Sequence, residues 1–168
     1  LKEHKKLVKD VKLVRRDGEA VQALSLSSDN TLKLWDLETA SCVHSLEGHK
    51  KLVQGAKLLS STEALSIGKD NCCILWDLER GEELWRVEDL EDVADSVALF
   101  DDDKVLLCLK KPNLFIVLDR TTGAEIERVD MHQAMYTRPA IWRARQIAGG
   151  FDTLQGPWRA QSSEQGAL

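Results

Sequence analysis

The feature that most restricts how this chain can fold is a self-repeat. Trp35-Asp36-Leu37-Glu38 returns as Trp76-Asp77-Leu78-Glu79, 41 residues later, and at the same offset Asp29-Asn30 returns as Asp70-Asn71 and Ser25 as Ser66. His4-Lys5-Lys6-Leu7-Val8 returns as His49-Lys50-Lys51-Leu52-Val53, 45 residues on, so four extra residues fall near 15–19 and read as a longer loop. A third, weaker copy follows. Leu118-Asp119 and Asn113 lie 42 residues after Trp76-Asp77 and Asn71, and Thr122-Gly123 stands where Arg80-Gly81 stood. A period near 40 implies stacked supersecondary units, each of which needs a neighbour to cover its apolar face.

Each copy contains four short apolar runs separated by polar turns. They are 7–14, 21–26, 32–35 and 42–46, then 52–59, 64–67, 72–76 and 83–87, then 93–100, 105–109, 114–118 and 124–129. Runs of about four to eight residues rich in Val, Leu and Ile, bounded by Ser, Asp and Gly, are strand signals. Each copy is therefore expected to be a four-stranded antiparallel unit.

With Gly48-His49 opening the second copy, Trp76-Asp77 closing its third strand, and Ser66 and Asp70 between them, the sequence resembles WD-repeat β-propeller blades. The resemblance is strongest over 4–89 and extends to about 130. It implies an all-β fold: a partial, open propeller of about three four-stranded antiparallel blades (4–46, 47–89 and 90–130), followed by an irregular, divergent and flexible tail at 131–168. Rings of this kind typically hold 4–8 blades, so three would leave both end blades uncovered. The chain starts at Leu1 and its pattern changes near Met131, which together point to a fragment or a shortened form of a larger propeller.

The resemblance also implies a buried hydrogen-bond chain in each regular blade: His49, Ser66, Asp70 and Trp76 in the second, His4, Ser25, Asp29 and Trp35 in the first. Glu3 stands where the family prefers Gly, and Ser27 competes with Ser25 for the hydroxyl role. In the third copy Leu90, Cys108, Pro112 and Leu118 occupy the corresponding places. An apolar replacement of the whole set is sound, because a half-satisfied buried network is worse than none.

The remaining motifs narrow the function. Ser, His and Asp in proximity suggest a hydrolytic triad, but the set recurs once per unit with Trp beside it, which favours a structural role. Cys42, Cys72, Cys73 and Cys108 show no C-x-x-C spacing, and Cys72 and Cys73 would point to opposite faces of one strand, so no metal site is expected. No phosphate-binding glycine motif occurs, and no cofactor is expected. The net charge of −5 argues against nucleic acid as the main partner. Charge is nonetheless segregated: residues 1–16 carry seven basic and two acidic side chains, residues 77–103 twelve acidic and two basic. The basic segment lacks the aromatics that stack on bases. Trp85, on an outermost strand, is a candidate partner contact or a packing residue against the next blade. No apolar run is long enough to span a membrane, and four cysteines are too few for a disulfide framework. A short helix is conceivable at 140–148. These features point to a non-catalytic protein–protein interaction scaffold in the cytoplasm, or the nucleus, binding proteins or peptides and the remaining blades of a larger propeller. The alternative is a regulatory or substrate-receptor segment of a multidomain enzyme such as a nucleotide-binding signalling ATPase or a ubiquitin ligase complex.

Overall fold

A computed structural model describes residues 3–16, 19–109, 111 and 113–130; Pro112 and the expected tail at 131–168 lie outside them. The described residues form twelve strands in three separate four-stranded sheets, each a meander of consecutive antiparallel neighbours. The first blade contains β1 (Val8–Arg16), β2 (Glu19–Ser27), β3 (Thr31–Asp36) and β4 (Ser41–Glu47). The second contains β5 (Val53–Leu58), β6 (Glu63–Gly68), β7 (Cys73–Asp77) and β8 (Glu82–Val87). The third contains β9 (Ala94–Asp101), β10 (Lys104–Leu109), β11 (Leu114–Asp119) and β12 (Glu125–Asp130).

The turns explain why the repeat is so visible. Asn30, Asn71 and Asn113 hold the same left-handed position between the second and third strands of their blades, with φ of 73°, 57° and 65°. Asn tolerates that region better than most side chains. After the third strand, the aspartate of each Trp-Asp or Leu-Asp pair caps the next turn. Asp36 accepts from the backbone N–H groups of Glu38 and Thr39, Asp77 from those of Glu79 and Arg80, and Asp119 from those of Thr121 and Thr122, at 2.8–3.0 Å. This Asp is kept in the third blade, whose Trp is lost, because its work is local to the turn.

One expectation is corrected. The four extra residues of the first copy do not make a longer loop: β1 and β2 are nine residues each, against six for β5 and β6. They extend the hairpin and add a bulge at Val14/Arg15, while the bulge at Val8/Asp10 recurs in blade 2 at Val53/Gly55.

The three sheets stack through two seams. In the first, Leu24, Leu26, Leu32 and Leu34 of blade 1 meet Ala64, Cys72, Ile74, Trp76 and Leu78 of blade 2, with Val53 from β5. In the second, Leu65, Ile67, Cys73, Leu75 and Trp85 of blade 2 meet Val105, Leu107, Leu109, Ile116 and Leu118 of blade 3. Successive residues of a strand point to opposite faces, so Cys72 belongs to one seam and its neighbour Cys73 to the other.

A second device crosses both seams. His44 on β4 lies over the β7–β8 turn, its Nε2 3.0 Å from the carbonyl of Glu79. One repeat later Trp85 on β8 donates its indole N–H to the Arg120 carbonyl at 2.8 Å. The rings fit because Gly81 and Gly123, at φ +71° and +72°, bear no Cβ; one there would approach His44 or Trp85 to 2.5 or 2.7 Å. Arg120 also reaches back to Glu63 at 2.7 Å. The counterpart of Glu63 in blade 1 is Gln22, whose Oε1 is buried without a hydrogen-bond partner among the described residues.

Candidate functional site

The residues singled out by the sequence come together in two ties, one in each of the first two blades. In blade 2, β6 presents Ser66 and β7 presents Trp76, while His49 precedes β5 and Asp70 sits in the β6–β7 turn. The Trp76 Nε1–H donates to Ser66 Oγ at 2.8 Å, Ser66 Oγ is 2.8 Å from His49 Nε2, and His49 Nδ1 is 3.1 Å from both oxygens of Asp70. The Lys50 backbone N–H also donates to Asp70, at 2.6 Å. A proton arrangement that satisfies every member has Trp donating to Ser, Ser to Nε2, and Nδ1–H to the carboxylate, with the imidazole neutral. Burial accordingly holds the His49 pKa below its ordinary 6.5, against the opposing pull of Asp70. Burial would raise the Asp70 pKa, but the Lys50 amide and His49 outweigh it and hold the carboxyl below its ordinary range.

Blade 1 repeats the geometry. Trp35 Nε1–H donates to Ser25 Oγ at 2.8 Å, Ser25 Oγ is 2.7 Å from His4 Nε2, and His4 Nδ1 is 2.9 Å from Asp29. The Asp29 pKa is held well below the carboxylate range. Its burial is overcome by hydrogen bonds from the Thr31 hydroxyl, His4 and the Lys5 and Thr31 amides. Ser27, the rival for the hydroxyl role, instead donates to the Leu7 carbonyl at 3.1 Å and accepts from the Asp29 amide. Both tie hydroxyls are closed to solvent and bonded to Trp and His, so no substrate atom reaches them as they stand.

Blade 3 has no such tie, and its register corrects one correspondence. Ser66 pairs across to Ile74 and Ala64 to Trp76; in blade 3 Leu107 pairs to Ile116 and Val105 to Leu118. The residue in the place of the Ser is therefore Leu107, fully buried, and not Cys108, which lies on the opposite face. The β10–β11 hairpin is one residue longer than β6–β7, so β10 follows β6 at an offset of 41 and β11 follows β7 at 42. Trp85, expected as a partner contact or a packing residue, is buried to 9% exposure in the seam between blades 2 and 3. Its ring is taken by the Arg120 carbonyl and Gly123, and that correction removes it from the surface open to a partner.

Two other surfaces draw attention. A cleft beside the second tie is lined by Lys50, Asp70, Cys72, Arg86 and Glu88, but Lys50 pairs with Glu88 at 3.1 Å and Arg86 with Glu83, so its charges are matched internally. The outward face of blade 1 is different. Leu7, Val8, Val11, Leu13 and Leu37 are exposed there, whereas Val53, Ala56, Leu58 and Leu78, the blade 2 counterparts of the last four, are packed against blade 1. Leu37 is 42% exposed and Leu78 1%. Among the described residues no three His, Cys, Asp or Glu side chains converge to hold a metal ion, and no helix is long and apolar enough to cross a membrane.

No protein-family model matches the sequence, and no curated protein matches it. A solved structure does: the crystal structure of the WD40 β-propeller domain of Doa1 superposes with a TM-score of 0.64 at 20% identity, over 76% of this chain and 42% of that one. The chain thus spans less than half of that domain. At such identity the likeness establishes the fold, and the three packed antiparallel sheets are blades of a partial, unclosed WD40 propeller.

Proposed function

We propose that this chain is a non-catalytic interaction scaffold, a propeller arc that holds other proteins or peptides through its blade surfaces. One observation carries the reading. Val43, Leu84 and Ile126 occupy the same position on the outer strands β4, β8 and β12, and each is exposed, at 41%, 47% and 50%. Single exposed apolar residues are ordinary; one at the same place in every blade forms a row that only another macromolecule would cover. The polar groups that suggested chemistry are meanwhile spent in the ties. Four free thiols support a reducing compartment, the cytoplasm or the nucleus. The role of the whole protein is read in the same way, as a platform for assembling complexes.

The test is a calorimetric titration of a purified partner, recovered with the full chain as bait, against wild type and the triple variant Val43→Asp/Leu84→Asp/Ile126→Asp. Saturable binding that weakens at least about tenfold in the variant, roughly 1.4 kcal/mol, supports the reading. Unchanged affinity removes the row as the binding surface.

A further inference from the structure

We propose that a ledge of lysines, at the end of blades 1 and 2 where the second strand turns into the third, docks a short acidic segment of a partner protein. The ledge is separate from the outer-strand row of Val43, Leu84 and Ile126 and does not depend on it.

Backbone hydrogen bonds make the ledge continuous. In blade 1 the Lys5 N–H donates to Asp29 at 2.8 Å, and the Ser28 N–H of the β2–β3 turn donates to the Leu7 carbonyl at 2.9 Å. In blade 2 the Lys50 N–H donates to Asp70 at 2.6 Å, and the Lys69 N–H of the β6–β7 turn donates to the Leu52 carbonyl at 3.0 Å. Asn30 joins the two across the seam, its side-chain amide donating to the Lys50 carbonyl at 3.4 Å. Asp29 and Asp70 are also the ends of the buried ties. The stretches bearing Lys5-Lys6 and Lys50-Lys51 are therefore fixed from beneath before a ligand arrives, and preorganisation of that kind lowers the cost of binding.

Charge selects the occupant. Lys5, Lys6, Lys51 and Lys69 are exposed, and none has an ion-pair partner among the described residues. Lys50 alone on the ledge is matched, by Glu88 at 3.1 Å. The turn arginines at the opposite end differ: Arg80 pairs with Asp77 at 3.9 Å and Arg120 with Glu63 at 2.7 Å. In a chain of net charge −5, four unmatched cations on one fixed surface select an anionic partner. The borders set its size. Exposed Glu88 and Asp89 follow the outer strand β8, and in blade 3 Glu91 and Asp92 stand where blade 2 has Lys50 and Lys51. The basic track thus crosses two blades and meets acids at blade 3 and beside β8. An acidic peptide of a few residues fits those limits, whereas a nucleic-acid backbone running past the ledge would meet the acids. No Phe, Tyr or Trp occurs at 5–7, 28–30, 50–52 or 69–71 for bases to stack on.

The test is fluorescence anisotropy of a labelled octaglutamate peptide titrated with the 168-residue chain, with octaglutamine and oligouridine RNA as parallel probes. Wild type should bind octaglutamate saturably with Kd below about 1 mM at about 50 mM salt, weaken at least about fivefold at about 200 mM salt, and leave octaglutamine unbound. Lys6→Glu/Lys51→Glu/Lys69→Glu should lose at least about tenfold in affinity. Lys9→Glu/Arg15→Glu/Lys57→Glu makes the same change in net charge on the strands and should lose less than about threefold. All six positions are exposed, so circular dichroism should match wild type; Lys6→Gln/Lys51→Gln/Lys69→Gln, a milder change, should weaken binding in the same direction. Val43→Asp/Leu84→Asp/Ile126→Asp should bind the peptide nearly as wild type does, which keeps this site distinct from the outer-strand row. Equal losses in the two lysine-to-glutamate triples would show attraction by net charge without a site and overturn the proposal. So would absence of octaglutamate binding by wild type, or tighter binding of the RNA than of the peptide.

Discussion

Blades 2 and 3 reach nearly the same backbone by opposite chemistry. Blade 2 fixes the approach to its first strand with Trp76, Ser66, His49 and Asp70 in a hydrogen-bonded line; blade 3 puts Leu118, Leu107 and Leu90 in the first three of those places and packs them. Yet both keep the aspartate that caps the following turn and the asparagine in its left-handed bend. The turn residues set the path of the chain locally, while the centre of a blade needs only to be filled without stranding a polar group. A tie is thus all-or-none, and the comparison can be broken by making either blade a hybrid.

The largest effect is expected from Trp76→Ala, which opens a cavity at a seam and strands the Ser66 hydroxyl; denaturant melts should show a loss of about 3–5 kcal/mol. Leu107→Ser inserts a lone hydroxyl into the apolar blade with no histidine to meet it, and should cost about 2–5 kcal/mol in the same measurement. Ser66→Ala, a smaller change in volume, leaves the Trp76 N–H and His49 Nε2 without their partner and should cost about 1–3 kcal/mol. Gln22→Leu removes the buried, unpaired Oε1 and should be neutral or stabilising by about 1 kcal/mol. The pH dependence sharpens the contrast further. The folded-state pKa of His49 lies below 6.5, so its contribution is full above that pH and declines below it as the unfolded chain takes up a proton. Asp29 and Asp70, held below 3.8, add a second decline beneath that value. Urea midpoints measured down from pH 7 should follow this course, and His49→Leu should flatten the first decline.

Much of this architecture is legible in the sequence, because strand runs and turn residues are local signals. The twelve apolar runs coincide with β1–β12 to within two residues at every end. What is not legible is non-local. A constant repeat offset matches Cys108 to Ser66, but lengthening one hairpin by a residue moves every side chain of β10 to the other face relative to that count. The additional residues near 15–19 look like a loop because nothing in the sequence says that β1 and β2 pair so far along. The fate of Trp85 depends on Arg120 and Gly123, 35 and 38 residues away, and the aromatic-over-glycine clamp becomes readable only when His44/Gly81 and Trp85/Gly123 are seen as one recurring pair.

The adjacent thiols of Cys72, just before β7, and Cys73, its first residue, turn the middle blade into a two-channel reporter. Burial raises the pKa of both, that of Cys72 to about 11, so neither reacts readily while its interface is shut. Pulse alkylation in mild urea, read residue by residue in the mass spectrometer, would then time the parting of blades 1 and 2 at Cys72 and of blades 2 and 3 at Cys73, within a single dipeptide and a single experiment.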